Sequence, residues 1–312
     1  MNHLLKNQVR NVLPGTVIHG KWHHCRYRIV RPLGQGANGN VYLAESPNGR
    51  VAVKIGRESM SITSEVNVLK QFSKVQGNVL GPSLIDVDDW VSSNGTHPFY
   101  VMEYLQGQPL LTFIHSKGEE WIGILTVQLL ADLDRLHRNG WIFGDLKPEN
   151  LVVSGPPPRI RWLDVGGTTM IGRSVKEYTE FFDRGYWGMG TRKAETTYDL
   201  FAVAMIMINS AYPRRFNKSK EGWRQLRDAV QGSSSLRRYR RVIVEALEGK
   251  YPDAPSMRKD LVHAMSRNPI NKSPAKQKTS SDQKKRRVGW IETFLLAAVL
   301  FVVYFFYLFG VH

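Results

Sequence analysis

Cysteine, acidic charge and, at one end of the chain, charge of either sign are scarce. Cys25 is the single cysteine among 312 residues, so no intrachain disulfide can form, as suits a reducing compartment. The 27 Asp and Glu face 43 Lys and Arg, a formal net charge of +16. Such a surplus points to an anionic partner: a nucleotide, a phospholipid surface or a nucleic acid. Met1–Gln8 holds no apolar run of the signal-peptide kind. No helix-turn-helix, zinc or base-stacking signature is present, so any contact with DNA is expected to be sequence-independent and salt-sensitive.

Thr293–Val311 contains no charged residue. At a rise of ~1.5 Å per residue it would span roughly 29 Å, one bilayer core, and no polar face recurs at helical spacing. Ser266–Gly289, just before it, carries eight Lys or Arg and one Asp, ending in Lys284-Lys285-Arg286-Arg287. The positive-inside rule then keeps this flank, and all that precedes it, in the cytoplasm, with the C-terminus outside. The expected plan is an N-terminal extension over 1–25, a catalytic domain over 26–266, a basic linker over 267–289 and a single membrane helix over 290–312. No external sensor domain is expected.

The most informative stretch is Phe143–Asn150, Phe-Gly-Asp-Leu-Lys-Pro-Glu-Asn. Asp145 can accept a hydroxyl proton, Lys147 can hold a phosphoryl group and Asn150 can ligate a cation. Upstream, Leu33-Gly34-Gln35-Gly36-Ala37-Asn38-Gly39-Asn40-Val41 sets three glycines between apolar runs. Glycine lets a backbone approach phosphates without a Cβ in the way. A strand rather than a helix follows, which excludes a dinucleotide-binding turn. The run Val51–Ile55 holds one charge, Lys54. A helix is predicted over about Ser64–Val75; its Glu65 is favoured as the partner of Lys54, with Glu58 as rival. Leu84–Val91 and His97–Tyr104 alternate as a hairpin, and Trp121–Arg138 has the 3.6-residue period of an amphipathic helix. Leu151–Val153 and Ile160–Leu163 form a second hairpin, leading to Asp164-Val165-Gly166. Tyr198–Asn209 reads as an apolar helix opened by Asp199. Helices at Glu221–Gln231, Leu236–Glu248 and Ser256–Ser266 complete the domain.

In this order over about Tyr27–Ser266, the motifs resemble protein kinases of the Hanks type, and Lys147 favours the serine/threonine branch. The resemblance implies an α+β, bilobal protein-kinase fold with a small β-rich lobe and a large helical lobe. It implies ATP beneath the glycine loop, with Leu33, Gly34, Gly36, Gly39 and Val41 around it. The backbone near Glu103 and Leu105 would meet the adenine edge, with Met102 behind. Lys54, oriented by Glu65, would grip the α- and β-phosphates. Asn150 and Asp164 would hold Mg²⁺, or Mn²⁺ in its place. Asp145 would take the proton of the acceptor hydroxyl while Lys147 steadies the γ-phosphate. Asp199 would support the catalytic loop from beneath, and Glu195 would close an activation segment whose candidate phosphate acceptors are Thr168, Thr169, Ser174, Thr179 and Thr191. The partners implied are protein substrates, anionic lipid and non-specific DNA. The membrane-anchored bacterial members also suggest a sporulation role and stimulation by DNA.

The departures are Val165 for Phe, Ala194 for Pro, and Phe143-Gly144 for the usual His-Arg. That arginine normally receives the activation-segment phosphate. Without it, activity is expected not to depend strictly on phosphorylation there. The other classes that remain are a catalytically silent scaffold and a small-molecule kinase of the aminoglycoside type. The first usually lacks one of Lys54, Asp145, Asn150 or Asp164; the second lacks the Lys-Pro-Glu-Asn continuation.

Overall fold

The structure, a computed structural model, describes residues 12–36, 38–74 and 81–266. Six strands, β1 (Val17–His19), β2 (Arg26–Gly36), β3 (Gly39–Ser46), β4 (Gly49–Gly56), β5 (Leu84–Ser92) and β6 (Gly95–Glu103), form one antiparallel sheet in the order β1-β2-β3-β4-β6-β5. Strand alternation sorts β4 between two environments. Val51, Val53 and Ile55 pack with Tyr27, Ile29, Phe99 and Val101 on one face. Ala52 lies with Tyr100 and Met102 on the other, against helix α1 (Ser59–Lys74) and its Ile62, Val66, Leu69 and Phe72. Lys54 has the parity of Ala52, so the one charge in this apolar run is turned toward α1.

The sequence predicts the start of α1 at Ser64; it begins at Ser59. The buried stripe already includes Ile62, and the Ile62 N–H donates to the Glu58 carbonyl at 3.4 Å. The serines around an exposed Met60, off the buried stripe, conceal that first turn in the sequence. Residues 12–25, assigned to an extension above, join the sheet. Val12 is buried and its N–H donates to the Tyr42 hydroxyl at 3.1 Å. The Trp22 and His23 backbone N–H groups donate to Asp88 at 2.9 and 2.8 Å. His23 Nδ1 lies 2.6 Å from Asp86, whose hydrogen bond and charge hold the imidazole above the usual histidine range.

The larger lobe is built around helix α5, reached after β7 (Gln108–Pro109), α2 (Leu110–Lys117), α3 (Glu120–Arg138), β8 (Trp141–Ile142), β9 (Leu151–Ser154), β10 (Arg159–Trp162), β11 (Thr169–Met170) and α4 (Arg184–Trp187). In α5 (Thr196–Ala211) every residue from Tyr198 to Ser210 is buried, as the uninterrupted apolar run Leu200–Ile208 requires, with Asp199, Asn209 and Ser210 as buried polar groups at its ends. Helices α6 (Gly222–Gly232), α7 (Arg240–Leu247) and α8 (Ala254–Ser266) follow. The helix expected over Leu236–Glu248 is split: a 3₁₀ turn over Arg237–Tyr239 precedes α7. Strand β9 lies between β10 and β7, and β8 pairs with β11. These short ladders fix both ends of the Phe143–Asn150 loop. Among the described residues no helix is long and apolar enough to cross a membrane. The expected linker over 267–289 and membrane helix over 290–312 lie outside the described residues, as do residues 1–11.

Candidate active site

Of the two rival carboxylates, the fold brings Glu65 to Lys54. Lys54 Nζ lies 2.6 Å from Glu65 Oε2 and 3.7 Å from Asp164 Oδ1. Tyr100, across the ladder from Lys54, donates its hydroxyl to the same Glu65 oxygen at 2.8 Å. Burial pushes the Lys54 ammonium down, but the Asp164 and Glu65 carboxylates outweigh it and hold the ammonium above its usual value. Burial drives the Glu65 carboxyl up, with Lys54 opposing. The two shifts pull opposite ways on whether the pair is charged. Two short donors on one oxygen favour the ionised pair. Tyr100, pushed well above the ordinary phenol range by burial and by Glu65, stays a donor.

The catalytic loop is held from beneath and from behind. Asp199, wholly buried near the start of α5, accepts from the Phe143 N–H at 2.7 Å, the Gly144 N–H at 3.0 Å and His137 Nε2 at 2.9 Å. Phe143, where a histidine was the usual residue, is buried edge-on against Trp162 with ring centres 5.0 Å apart. Gly144 has φ +83°, and a Cβ there would lie 2.6 Å from the Gly167 carbonyl oxygen. No side chain fits, so the missing arginine is a property of this backbone. Asn150 donates its amide to the Asp145 carbonyl at 2.9 Å, which leaves its own Oδ1 as a potential ligand atom. Asp145 itself accepts from Lys147 Nζ at 2.5 Å and from the Thr179 hydroxyl at 2.9 Å.

The glycine loop has two kinds of glycine. Gly39 has φ +154°, and a Cβ there would collide with the Ile55 carbonyl at 2.3 Å, so the turn itself demands it. Around Gly34 a Cβ would meet nothing within 4 Å, and around Gly36 only the Gly39 carbonyl at 3.7 Å. Those two leave open the space that a nucleotide's phosphates need. Leu33 is exposed and Val41 half-buried on the flanking strands. At the far end of the cleft, Glu103 closes β6; its N–H donates to the Ser83 carbonyl at 2.9 Å and its carboxylate pairs with Arg161 at 3.0 Å. Leu105 follows, half-buried. Lys54 and Asp164 thus lie 3.7 Å apart, Asn150 is braced on the Asp145 carbonyl, and the Leu163 N–H, one residue before Asp164, donates to the Asn150 carbonyl at 2.9 Å and ties the two pairs together.

Residues 27–282 match the protein kinase domain family. The chain belongs to the protein kinase family. It is 51% identical over 294 residues to serine/threonine-protein kinase YabT of Bacillus subtilis, covering 92% of this chain and 87% of that one. It is 34% identical over 165 residues to protein kinase dsk1 of Schizosaccharomyces pombe, covering 48% of this chain and 30% of that one. The solved structure of vaccinia related kinase 3 superposes with a TM-score of 0.60 at 16% identity, covering 82% of this chain and 91% of that chain; this likeness supports the bilobal fold. The protein is a serine/threonine kinase, and membership of the family implies ATP, a divalent metal ion and protein substrates.

In this kinase the activation segment departs most from the sequence expectation. Thr168 and Thr169, counted among the acceptors, are buried, and Thr169 donates to the Gly167 carbonyl at 2.9 Å. Ser174 and Thr191 are exposed. Thr179 donates to Asp145 and is met by Lys147 Nζ at 3.0 Å, so its hydroxyl lies within the catalytic loop's own network. Glu195 pairs with Arg184 at 2.5 Å, and that hydrogen bond holds its carboxyl below the usual range. A residue missed by the sequence reading does more. Asp183, fully buried, caps α4 by accepting the Gly185 and Tyr186 N–H groups, and also accepts from Arg192 at 2.8 Å and Tyr198 at 2.9 Å. Its signal was an aspartate directly before a short helical run.

Proposed function

We propose that this kinase transfers the γ-phosphate of ATP to serine and threonine hydroxyls of protein substrates, with Mg²⁺ as the divalent ion. The observation that carries this reading is the Lys54 ammonium held by both Glu65 and Asp164; the Leu163 N–H on the Asn150 carbonyl ties that pair to the loop of Asp145. Lys54, oriented by Glu65 and Tyr100, binds the inner phosphates. Asn150 Oδ1 and the half-exposed Asp164 carboxylate would supply the oxygen ligands that a hard cation takes. When bound, that cation neutralises charge between the phosphates. Asp145 orients the acceptor hydroxyl and takes its proton, and Lys147, already against Asp145, faces the transferring group. Little covalent help is needed, so positioning and electrostatics supply most of the acceleration.

Replacing Lys54 by alanine is expected to lower kcat/KM for a protein acceptor about 10²–10³-fold, the scale of removing one preorganised donor. Labelling from γ-radiolabelled ATP, with and without Mg²⁺, measures it. A silent wild-type chain would instead favour the scaffold reading.

We further infer that Thr293–Val311 anchors the catalytic domain to the cytoplasmic face of a membrane, supported by the uncharged run and by the net +7 of Ser266–Gly289. Each Lys or Arg near an anionic surface contributes roughly 1 kcal/mol. Removal of 290–312 is expected to shift the protein from the alkali-resistant membrane pellet to the supernatant; a truncated chain that stays in the pellet would refute the anchor. The same basic linker suits non-specific DNA, which would show as salt-sensitive gel retardation lost on deleting 267–289.

A further inference from the structure

Four consecutive residues of the activation segment, Lys176–Thr179, cross the mouth of the cleft and touch both lobes. Lys176 Nζ donates to Ser64 Oγ on α1 at 3.3 Å. Glu177 Oε1 accepts from Asn38 Nδ2 at 2.6 Å, a contact across 139 residues of sequence. The Arg192 guanidinium sits 4.0 Å over the Tyr178 ring. Thr179 is on Asp145 and Lys147, as described. Three of these four contacts hold the segment in place. The fourth, Glu177 to Asn38, ties the segment to the tip of the glycine loop.

Asn38 stands between Gly36 and Gly39, and its carbonyl accepts from the Arg57 N–H at 3.3 Å. Two residues past Gly39 comes Val41, the ladder partner of Lys54. A carboxylate held to this tip therefore lies in the neighbourhood that the phosphates must enter. Its field reaches Lys54: burial lowers that ammonium, Asp164 and Glu65 raise it, and Glu177 raises it further. Phosphates and Glu177 carry the same sign. An entering phosphate would therefore meet a like charge that already holds the Asn38 amide and adds to the field at the Lys54 ammonium.

We propose that Glu177 is an internal competitor of the nucleotide phosphates, a carboxylate that clasps the glycine-loop tip through Asn38 and is released when ATP enters. The inference rests on the ATP-dependent kinase reading above. The clasp makes nucleotide entry and activation-segment release one event, since the phosphates displace Glu177 from Asn38 and free the segment beside Thr179. The competition depends on charge, so it grows with the number of phosphates on the ligand and vanishes for the bare nucleoside.

The test is calorimetric titration of the full chain and its Glu177→Gln variant with adenosine, ADP and ATP. Glutamine keeps the shape and can still accept from Asn38, so only the charge is lost. The variant is expected to bind ATP about five- to tenfold more tightly than the wild type, ADP by a smaller factor and adenosine equally. Equal or weaker ATP binding by the variant would overturn the proposal. So would a gain of the same size for adenosine, because that reports a change in the pocket rather than relief of repulsion. Failure of the wild type to bind any of the three would instead bring down the ATP reading beneath it.

Discussion

Asp145→Asn is expected to lower kcat for protein phosphorylation about 10³-fold while changing the ATP dissociation constant by less than about threefold. The carboxylate has two neighbours that define its task. Lys147 Nζ at 2.5 Å and the Thr179 hydroxyl at 2.9 Å both donate to it, so it is held as an acceptor, the role that the proposed transfer to a hydroxyl requires. Asparagine fills the same volume and offers one acceptor oxygen, so the loop keeps its shape. Its amide nitrogen cannot take a proton and would confront Lys147 or Thr179 with a second donor. The loss therefore falls on the chemical step. Steady-state labelling of a protein acceptor, with nucleotide binding measured separately, resolves the two quantities. A variant whose kcat stays within tenfold of the wild type would remove Asp145 from the base role.

The second large effect is structural at its origin and catalytic in its result. Asp199→Ala would strip the Phe143 and Gly144 N–H groups of their acceptor in a fully buried place, and leave His137 Nε2 unpaired. An unsatisfied buried donor costs about 1–3 kcal/mol. The two backbone groups alone then imply a loss of roughly 2–6 kcal/mol, a large share of the stability of a domain. Where the chain remains folded, Asp145 loses the backbone that aims it, and kcat is expected to fall at least about 10²-fold with little change in ATP affinity. Asp199→Asn, which keeps one acceptor, should fall between the two. Urea unfolding midpoints alongside kcat measure both. An alanine variant with wild-type stability and turnover would show that the loop is held by other means.

The parts of this site that were legible in the sequence are those whose chemistry is local. Asp145, Lys147 and Asn150 share one short loop, and their spacing survives in any backbone that forms it. Lys54 announced itself as a single charge in a run of β-branched residues, and alternation along β4 explains where it points. Glu65 was less certain, because the start of α1 is interspersed with serines and its buried stripe becomes visible only once Ile62 is counted. What stayed hidden were contacts of long sequence separation. The Tyr100 hydroxyl completes the Lys54–Glu65 pair from another strand. Asp183 gathers α4, Arg192 and Tyr198. The burial of Thr169 goes with its pairing to Ile142 where β11 meets β8, which no local pattern reveals. The 3₁₀ turn that splits Leu236–Glu248 belongs to the same class: the apolar period runs through it, and only packing breaks it.

The close approach of Gly144 to Gly167 bears on how such an enzyme can acquire new control. Two chain segments touch there through bare backbone, with 2.6 Å between the site of an absent Cβ and a carbonyl oxygen. A single codon change to arginine would not graft on a phosphate sensor; it would lever the catalytic aspartate out of line. Subordination to an upstream enzyme would require both strands of that crossing to be redrawn together. At this crossing, then, the backbone itself leaves no room for a side chain between the catalytic loop and the segment that follows Asp164.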